Sequence, residues 1–406
     1  MPQSPRAASS SLPPRSKASR GLLIAAAAAQ FGTGAARAEV TLVPYVNSTT
    51  TYESNVFRVD QDFVFPADDI RSKSDVIFNN AVGLEGNYRW SNQRLFATAE
   101  GSRFQYLNND QLDQNAFQLR GGLDWSLLSR VTGTLTASNS QTRSSFANGD
   151  TTVLNRQRQR DLGGTIRFKP GNDLDFNAGF NNNILKTPAI NAPNFQVEQN
   201  TWNSALNYVG INRFIIGVTG SYSLGKFSGT ETNSKFESQS AAGTLGYEAS
   251  DISKFALSAG YTTREDKATQ TQTKGLTGSL VYNRELTGKT AGTLGVTRSV
   301  DASQFGDNSV INTSVFLGLN YSATARITAS LNYNYLNSKF KAIGTADTVF
   351  AGRTDDQHTV NLRAVYDAFD WLKVSPSVGY ETRTANLDGF DYKAYIVGMQ
   401  FTARLE

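Results

Sequence analysis

Few residues in this sequence could carry out catalysis. His358 is the sole histidine, it stands close to Asp355 and Asp356, and the chain contains no cysteine. A hydrolase needs a nucleophile and a base held together by a third group, and one histidine beside two loop carboxylates does not supply that arrangement. We interpret His358 as a residue at the rim of a strand. The protein is therefore predicted not to be an enzyme and to need no cofactor.

Three short runs of loop oxygens could bind calcium, which prefers carboxylate and carbonyl ligands. They are Asp68-Asp69, Asn108-Asn109-Asp110 and Asp355-Asp356. Solvated loop charge is the simpler interpretation of all three, so no metal site is predicted.

The type of secondary structure that positions these residues is clearest in the last stretch of the sequence, Trp371 to Arg404. Every second residue from Leu372 to Tyr380 is apolar, and a second alternating run carries Tyr395, Val397, Met399, Phe401 and Ala403 on one face. A period of two indicates strands, because successive side chains point to opposite faces. The other face carries Lys, Glu and Arg, which is typical of a transmembrane barrel with an apolar outside and a wet inside.

Residues 1–38 have the form of a secretory signal peptide. Basic residues precede a short apolar run, Leu22 to Ala29, and Ala36-Arg37-Ala38 has the small-x-small form of a cleavage site. A membrane anchor would need roughly 20 apolar residues. Removing five basic and no acidic residues lowers the net charge from +4 to about −1, so the composition gives no support to nucleic-acid binding. The predicted domain is residues 39–406.

Eighteen alternating segments are predicted (the range 16–18 is allowed), and short and long links between them alternate strictly. The segments start near Thr41, Val76, Leu95, Phe117, Val131, Asp161, Leu174, Thr201, Phe214, Ala241, Phe255, Leu276, Ala291, Asn312, Ile327, Val360, Leu372 and Tyr392. Short periplasmic turns and long outer loops are typical of outer-membrane barrels, whereas a soluble solenoid of β-repeats would not need this alternation. We therefore predict an all-β, antiparallel outer-membrane β-barrel with both ends of the chain in the periplasm.

An aromatic residue ends the apolar face of each strand that enters a short link. The eight residues are Trp90, Trp125, Phe168, Tyr208, Tyr247, Tyr282, Tyr321 and Tyr366. Aromatic rings favour the membrane interface, so this row is predicted to be the periplasmic aromatic girdle. Tyr106, Tyr222, Tyr261 and Tyr335 are predicted to belong to an outer girdle in the same way.

Because side chains alternate between the two faces of a strand, the face opposite the apolar one is predicted to line the lumen. The pore-lining candidates are Glu85, Arg89, Arg120, Asp124, Arg167, Arg363, Lys373, Glu381, Arg383 and Arg404. Burying so many charges in a protein core would be costly, whereas a barrel of about 18 strands is wide enough for an aqueous channel. Any constriction must come from loops that fold inward, and the link from Ser338 to Thr354 is the longest late candidate.

The stretch Tyr52-Glu53-Ser54-Asn55-Val56-Phe57-Arg58 resembles a signature near the mature N-terminus of a known family. The family is that of the EpsL-like exopolysaccharide-operon outer-membrane proteins, in the β-barrel porin 2 group, where Asp usually stands in place of Glu53. Shorter similarities occur at Ser74-Asp75, Ser91-Asn92-Gln93-Arg94, Leu112-Asp113-Gln114-Asn115, Arg353-Thr354-Asp355-Asp356 and Gly389-Phe390-Asp391-Tyr392. The chain departs from the family at its end, where Leu405-Glu406 replaces a terminal aromatic.

This resemblance implies a channel that secretes an exopolysaccharide across the outer membrane of a Gram-negative bacterium, working with a periplasmic polysaccharide export protein. The expected partners also include outer-membrane lipid and the barrel-assembly machinery, but no nucleic acid. From the residues alone, a passive diffusion porin for small solutes or oligosaccharides remains the alternative.

Overall fold

The computed structural model describes residues 39–65, 72–127, 129–146, 154, 156–187, 195–229, 234–267, 270–302, 309–341 and 352–405. The predicted signal peptide, residues 1–38, and most of the link predicted as a constriction, residues 342–351, lie outside these ranges. Within them, no helix is long and apolar enough to cross a membrane. A single turn of 3-10 helix forms at Asp110–Leu112.

Eighteen strands make up the rest of the fold. Their bounds are β1 Glu39–Glu53, β2 Asp75–Trp90, β3 Gln93–Tyr106, β4 Gln114–Leu127, β5 Val131–Arg143, β6 Arg156–Phe168, β7 Leu174–Thr187, β8 Phe195–Ile211, β9 Phe214–Ser228, β10 Lys235–Ser250, β11 Ser253–Asp266, β12 Gln272–Thr287, β13 Thr290–Ala302, β14 Ser309–Ser322, β15 Ile327–Lys341, β16 Thr354–Phe369, β17 Leu372–Ala385 and β18 Tyr392–Arg404. The predicted count and order of strands are confirmed.

Each strand pairs antiparallel with its neighbours in sequence, and β1 also pairs with β18, so the sheet closes into a barrel. The closing register runs from Tyr45 opposite Arg404 to Glu53 opposite Ile396. Residues 39–44 extend beyond the register with β18 and pair along β2. The N–H of Leu405 still donates to the carbonyl of Pro44 at 3.0 Å.

The two ends of the barrel differ in their links. We call the end with the eight short links the turn end and the end with the nine longer links the loop end. Glu39 pairs with Arg89 beside the first short link, and Arg404 also lies at the turn end. The predicted alternation of short and long links, with both ends of the barrel chain on one side, is confirmed.

The inner face is identified by side-chain contacts that skip a strand, which only a concave surface brings within reach. Tyr45 on β1 donates to Glu100 on β3 at 2.9 Å, and Arg363 on β16 donates to Gln400 on β18 at 2.7 Å. The outer face carries the large exposed apolar side chains, among them Leu42, Val82, Leu135, Leu162, Val218, Leu276, Val378 and Val397. This distribution is inverted relative to a water-soluble protein and is that of a membrane barrel.

Candidate functional site: the inner face of the barrel

Ion pairs line the inner face at the turn end. Arg404 pairs with Glu85 at 3.3 Å, Arg94 with Asp124 at 3.7 Å, and Lys373 with Asp367 at 3.0 Å. Two further pairs, Arg167 with Asp175 and Lys254 with Glu248, complete this set. Each pair joins different strands, so the positive and negative groups are interleaved around the opening rather than gathered on one side.

The ten residues predicted to line the pore all occupy inner-face positions in the register. Glu85, Asp124, Arg167, Lys373 and Arg404 belong to the ion pairs at the turn end. Arg89 lies opposite Arg94, Arg120 has its guanidinium carbon 5.9 Å from the ring centroid of Phe96, and Arg363 reaches Gln400. Glu381 and Arg383 lie at the loop end, in surroundings that the sequence did not indicate.

The middle of the inner face, from β8 to β12, is a ladder of hydroxyl groups. The hydroxyl of Thr201 lies 2.9 Å from that of Ser223, and the hydroxyl of Ser221 lies 2.7 Å from that of Ser240. Thr262 and Thr277 form a third pair at 3.0 Å. Five of these six hydroxyl groups, all but that of Thr201, line a cavity of about 460 Å³ on the barrel wall. The rest of its lining includes Gln199, Ser238 and Ser299, the charged Arg264 and Asp301, and the apolar Leu185, Val197 and Phe236. The hydroxyl groups of this sector present neutral donors and acceptors to the lumen.

Aromatic residues of the inner face lie flat on glycines of the adjacent strand. A Cβ atom built on the glycine would overlap the ring in four inner-face pairs: Tyr45 on Gly83, Phe96 on Gly122, Phe236 on Gly225, and Phe316 on Gly295. The missing side chain leaves the space that the ring occupies, an arrangement known from sheets in which an aromatic side chain covers a glycine. The rings therefore lie along the wall instead of projecting into the lumen.

At the loop end, the family-like stretch 52–58 joins the first strand to the last. Arg58 pairs with Glu53 at 3.0 Å and with Glu381 at 3.1 Å. Burial alone would lower the pKa of Arg58, but the charges of the two carboxylates outweigh burial and raise the pKa. The N–H of Ser54 donates to the carbonyl of Tyr395 at 2.9 Å, and the N–H of Tyr395 donates back to the Ser54 hydroxyl at 2.8 Å.

Arg383, predicted to face water, is instead only 4 % exposed. Its guanidinium lies over the rings of Phe390 and Tyr392, and it donates to the Phe390 carbonyl at 2.6 Å. Arg353 is fully buried, its guanidinium carbon lies 3.7 Å from the centroid of the same Phe390 ring, and it pairs with Asp355. The sequence missed this cluster because parity gives the face of a residue but not what the following loop places on top of it.

Three of the long links fold over the inner face at the loop end. Val56 and Phe57 of the β1–β2 link, Leu112 of the β3–β4 link and Phe146 of the β5–β6 link form one buried apolar cluster with Ile77 and Tyr106. We call this the loop cluster. It narrows the lumen on the β1–β5 side, and a second cluster of Leu185, Val197, Phe227 and Phe236 lies on the inner face of β7–β10.

Asp75 holds the loop cluster to the barrel wall. This residue is 1 % exposed, and its carboxylate accepts the backbone N–H groups of Leu107, Asn108 and Asn109 at 2.9–3.0 Å. The Asn109 side chain donates to it at 2.7 Å. One carboxylate thus accepts three consecutive backbone N–H groups of the link, as buried polar groups require.

The eight residues predicted to form the turn-end girdle all lie on the outer face beside the short links. Several stack with aromatic neighbours, such as Phe214 on Tyr247 at 4.6 Å and Phe255 on Tyr282 at 4.4 Å between ring centroids. Tyr222, Tyr261 and Tyr335 are on the outer face at the loop end, but Tyr106 is not. Tyr106 is buried on the inner face within the loop cluster, so its assignment to an outer girdle was wrong.

His358 lies on the outer face of β16, within hydrogen-bonding distance of the Tyr333 hydroxyl at 3.0 Å. Asp356 is on the same face and accepts from Tyr335 and Asn337, whereas Asp355 points inward to Arg353. The two neighbouring carboxylates therefore cannot share one cation. No group of three metal-binding side chains occurs in the described part of the chain.

The second half of the barrel matches the model of a known protein family. Residues 234–405 match the family model described as "Putative beta-barrel porin 2". No curated protein matches the chain. The barrel fold and this match to a porin-like model indicate an integral β-barrel of the outer membrane.

Among solved structures, the chain is similar to two outer-membrane proteins from Pseudomonas aeruginosa. A mutant of the ferric enterobactin receptor PfeA aligns with a TM-score of 0.49 at 10 % identity over 89 % of this chain and 80 % of the receptor. The outer membrane protein OpdK aligns with a TM-score of 0.48 at 10 % identity over 90 % of this chain and 99 % of OpdK.

Proposed function

We propose that this protein is an outer-membrane channel that secretes an exopolysaccharide from a Gram-negative bacterium. The observation that carries the proposal is the hydroxyl ladder of β8–β12. A polysaccharide presents many neutral donors and acceptors to its surroundings. A wall of Ser and Thr can exchange hydrogen bonds with such a chain at small cost, because each bond made replaces one of similar strength.

The charges at the turn end support the same cargo. Glu85, Asp124 and Asp367 are each paired with a basic group on another strand. A narrow ring of one sign would select small ions, whereas interleaved pairs hold neither sign of charge strongly. A large hydrated polymer, neutral or weakly acidic, is compatible with this opening.

A periplasmic polysaccharide export protein is the partner proposed at the turn end, and the barrel-assembly machinery is proposed to insert the barrel. The resemblance of residues 52–58 to the exopolysaccharide-operon proteins supports the first. Alternating apolar strands that can fold only in a membrane support the second.

A passive diffusion porin is the second candidate. The match of residues 234–405 to the porin model favours it. The loop cluster lies on the β1–β5 side of the barrel and the hydroxyl ladder on β8–β12, and this arrangement suits small solutes as well as polymer.

Reconstitution in planar bilayers would separate the two candidates. For an export channel, we expect acidic oligosaccharide to occlude the current, and the triple variant S221A/S240A/T262V to weaken that occlusion. The matched outer-face change T263V should leave it unchanged. A stable open conductance that oligosaccharides do not block would instead establish the porin.

Deletion of the gene tests the proposal in the cell. Surface polysaccharide should fall strongly and return when the wild-type gene is restored. Unchanged export in the deletion strain would overturn the export function.

A further inference from the structure

The outer face of β6 and β7 carries an exposed basic patch near the loop end. Arg158, Arg160 and Lys186 are all exposed on this face, and we call them the basic patch. Arg158 lies directly opposite Lys186 in the register. Like charges in opposite positions of neighbouring strands destabilise a sheet, so this pair calls for an anion between its members.

Apart from Arg158 and Lys186 themselves, the residues directly opposite the patch are neutral; the nearest carboxylate on this face, Glu198, lies diagonally from Lys186 and opposite Ile184. Arg158 lies opposite Gln141 of β5 and donates to its side-chain oxygen at 2.7 Å. Arg160 lies between Asn139 of β5 and Ile184 of β7. A contrasting pair occurs on the same face further round the barrel. Lys226 lies opposite Lys235 but also opposite Glu198, so a carboxylate of the chain already stands beside that pair.

The height of the patch places it at the membrane surface away from the turn end. Arg160 and Arg158 are eight and ten residues along β6 from Phe168 of the predicted girdle. With about 3.4 Å per residue and a strand tilt of roughly 40°, they lie about 20–26 Å from it. That distance is close to the thickness of the apolar band of such barrels, about 25 Å.

An apolar groove leads down the outer face from this patch. Small residues form its floor, and leucines form its walls, over about 760 Å³. On the outer face its lining includes Ala97, Ala99, Gly121, Ala137, Leu84, Leu119 and Leu162, and Arg160, Asn139 and Asn182 stand at its end. Thr98, Arg120, Ser138 and Asp161, at inner-face positions of the same strands, also border this volume. A groove floored by Ala and Gly beneath a cationic patch has the shape and polarity of a lipid with an anionic head group.

We propose that the basic patch binds the phosphate of a phosphorylated lipid in the outer leaflet, with an acyl chain of that lipid in the groove. Arg158 and Lys186 hold one phosphate between them, which relieves their mutual repulsion, and Arg160 contacts it from below. The inference rests on the membrane placement in the proposed function and is independent of the cargo.

The test uses the purified full-length barrel in detergent micelles and titrates it with lipid A that carries two phosphates, followed by native mass spectrometry. The wild-type protein should bind this lipid well above its dephosphorylated form. R158Q/R160Q/K186Q should weaken binding about 100-fold, because three basic contacts act together. K226Q/K235Q/K274Q removes the same charge from the same face elsewhere and should change binding by less than about threefold.

A second variant tests the groove without touching charge. A137L fills its floor, so it should weaken binding of lipid A while leaving the preference for phosphate intact. Equal affinity for the phosphorylated and dephosphorylated lipids in the wild-type protein would overturn the proposal, whether or not the variants fold. Full displacement of lipid A by inorganic phosphate would also overturn it, by showing a site for free anions. Single-channel conductance of the same samples reports separately on the channel function.

Discussion

At the scale of single residues, glycines opposite aromatic rings decide how much of the lumen is open. Phe316 lies on Gly295, and Tyr45 lies on Gly83 while its hydroxyl reaches Glu100. The sequence could not show these contacts, because a glycine and its covering ring lie on different strands and meet only through the register. The alternation of side chains along each strand predicted only that the glycine and its aromatic partner both face inward.

The substitution G295A should push the Phe316 ring away from the wall. The new Cβ atom would overlap the ring, so the ring must rotate toward the lumen. We expect a lower single-channel conductance with little loss of stability. G101A is the control, because a Cβ atom there meets nothing within 4 Å; equal conductance in the two variants would contradict the expectation.

The substitution R58Q should destabilise the barrel strongly. The Arg58, Glu53 and Glu381 side chains are only 13–18 % exposed, and loss of the cation leaves two buried carboxylates facing each other. Breaking a buried pair typically costs about 3–5 kcal/mol, against about 0–1 kcal/mol for an exposed one. Denaturant unfolding in micelles measures the difference. R103Q, which removes an exposed pair with Asp113, is the control.

At the scale of elements, alternation predicted every strand but placed several beginnings too late. Strand β6 was predicted from Asp161 and begins at Arg156, and β16 was predicted from Val360 and begins at Thr354. Beyond the apolar band both faces of a strand are polar, so the alternation disappears while backbone pairing continues. The inward folding of the links could not be predicted from the sequence either, since the burial of Phe57 and Phe146 depends on contacts between links far apart in sequence.

The substitution D75A should release the β3–β4 link from the wall. The amides of Leu107, Asn108 and Asn109 then lose their shared acceptor. Hydrogen exchange measured by mass spectrometry should show these amides exchanging at least about tenfold faster, which corresponds to a loss of about 1.4 kcal/mol of protection. Unchanged exchange there would show that other contacts hold the link.

Removing the rings of the loop cluster should widen the channel. The double variant F57A/F146A leaves a cavity among Val56, Leu112 and Tyr106 at the loop end. We expect a higher and noisier conductance in planar bilayers, because the links lose the packing that fixes them. F255A removes a ring of similar size from the outer face and should leave the conductance unchanged.

At the scale of the whole molecule, the inner face combines ion pairs at the turn end, the hydroxyl ladder on β8–β12 and a loop end covered by buried clusters. The sequence predicted the charges of the turn end because side chains alternate along each strand, and several of these charges adjoin a girdle aromatic, as Asp124 adjoins Trp125. The covering of Arg383 and Arg353 could not be predicted, because it depends on where Phe390 and Phe340 fall in three dimensions.

The substitution R404Q should shift ion selectivity toward cations. It leaves the Glu85 carboxylate at the turn end without its basic partner on β18. The reversal potential in a salt gradient measures this change in selectivity. The difference between variant and wild type should shrink as the salt concentration rises, because salt screens the unpaired carboxylate. R298Q, on the outer face, should have no effect on the reversal potential.

The joint between β1 and β18 also sets the order in which this chain can fold. Ser54 and Asn55 bond residues 338–341 positions later in the sequence, so their partners are synthesised long after them. Contacts of such long separation form slowly. Until they form, the first and last strands each present an unpaired edge, which other chains can join. The newly exported polypeptide must therefore be kept from its neighbours until its final hairpin arrives, and a chain truncated before Glu381 should aggregate or be degraded instead of entering the membrane.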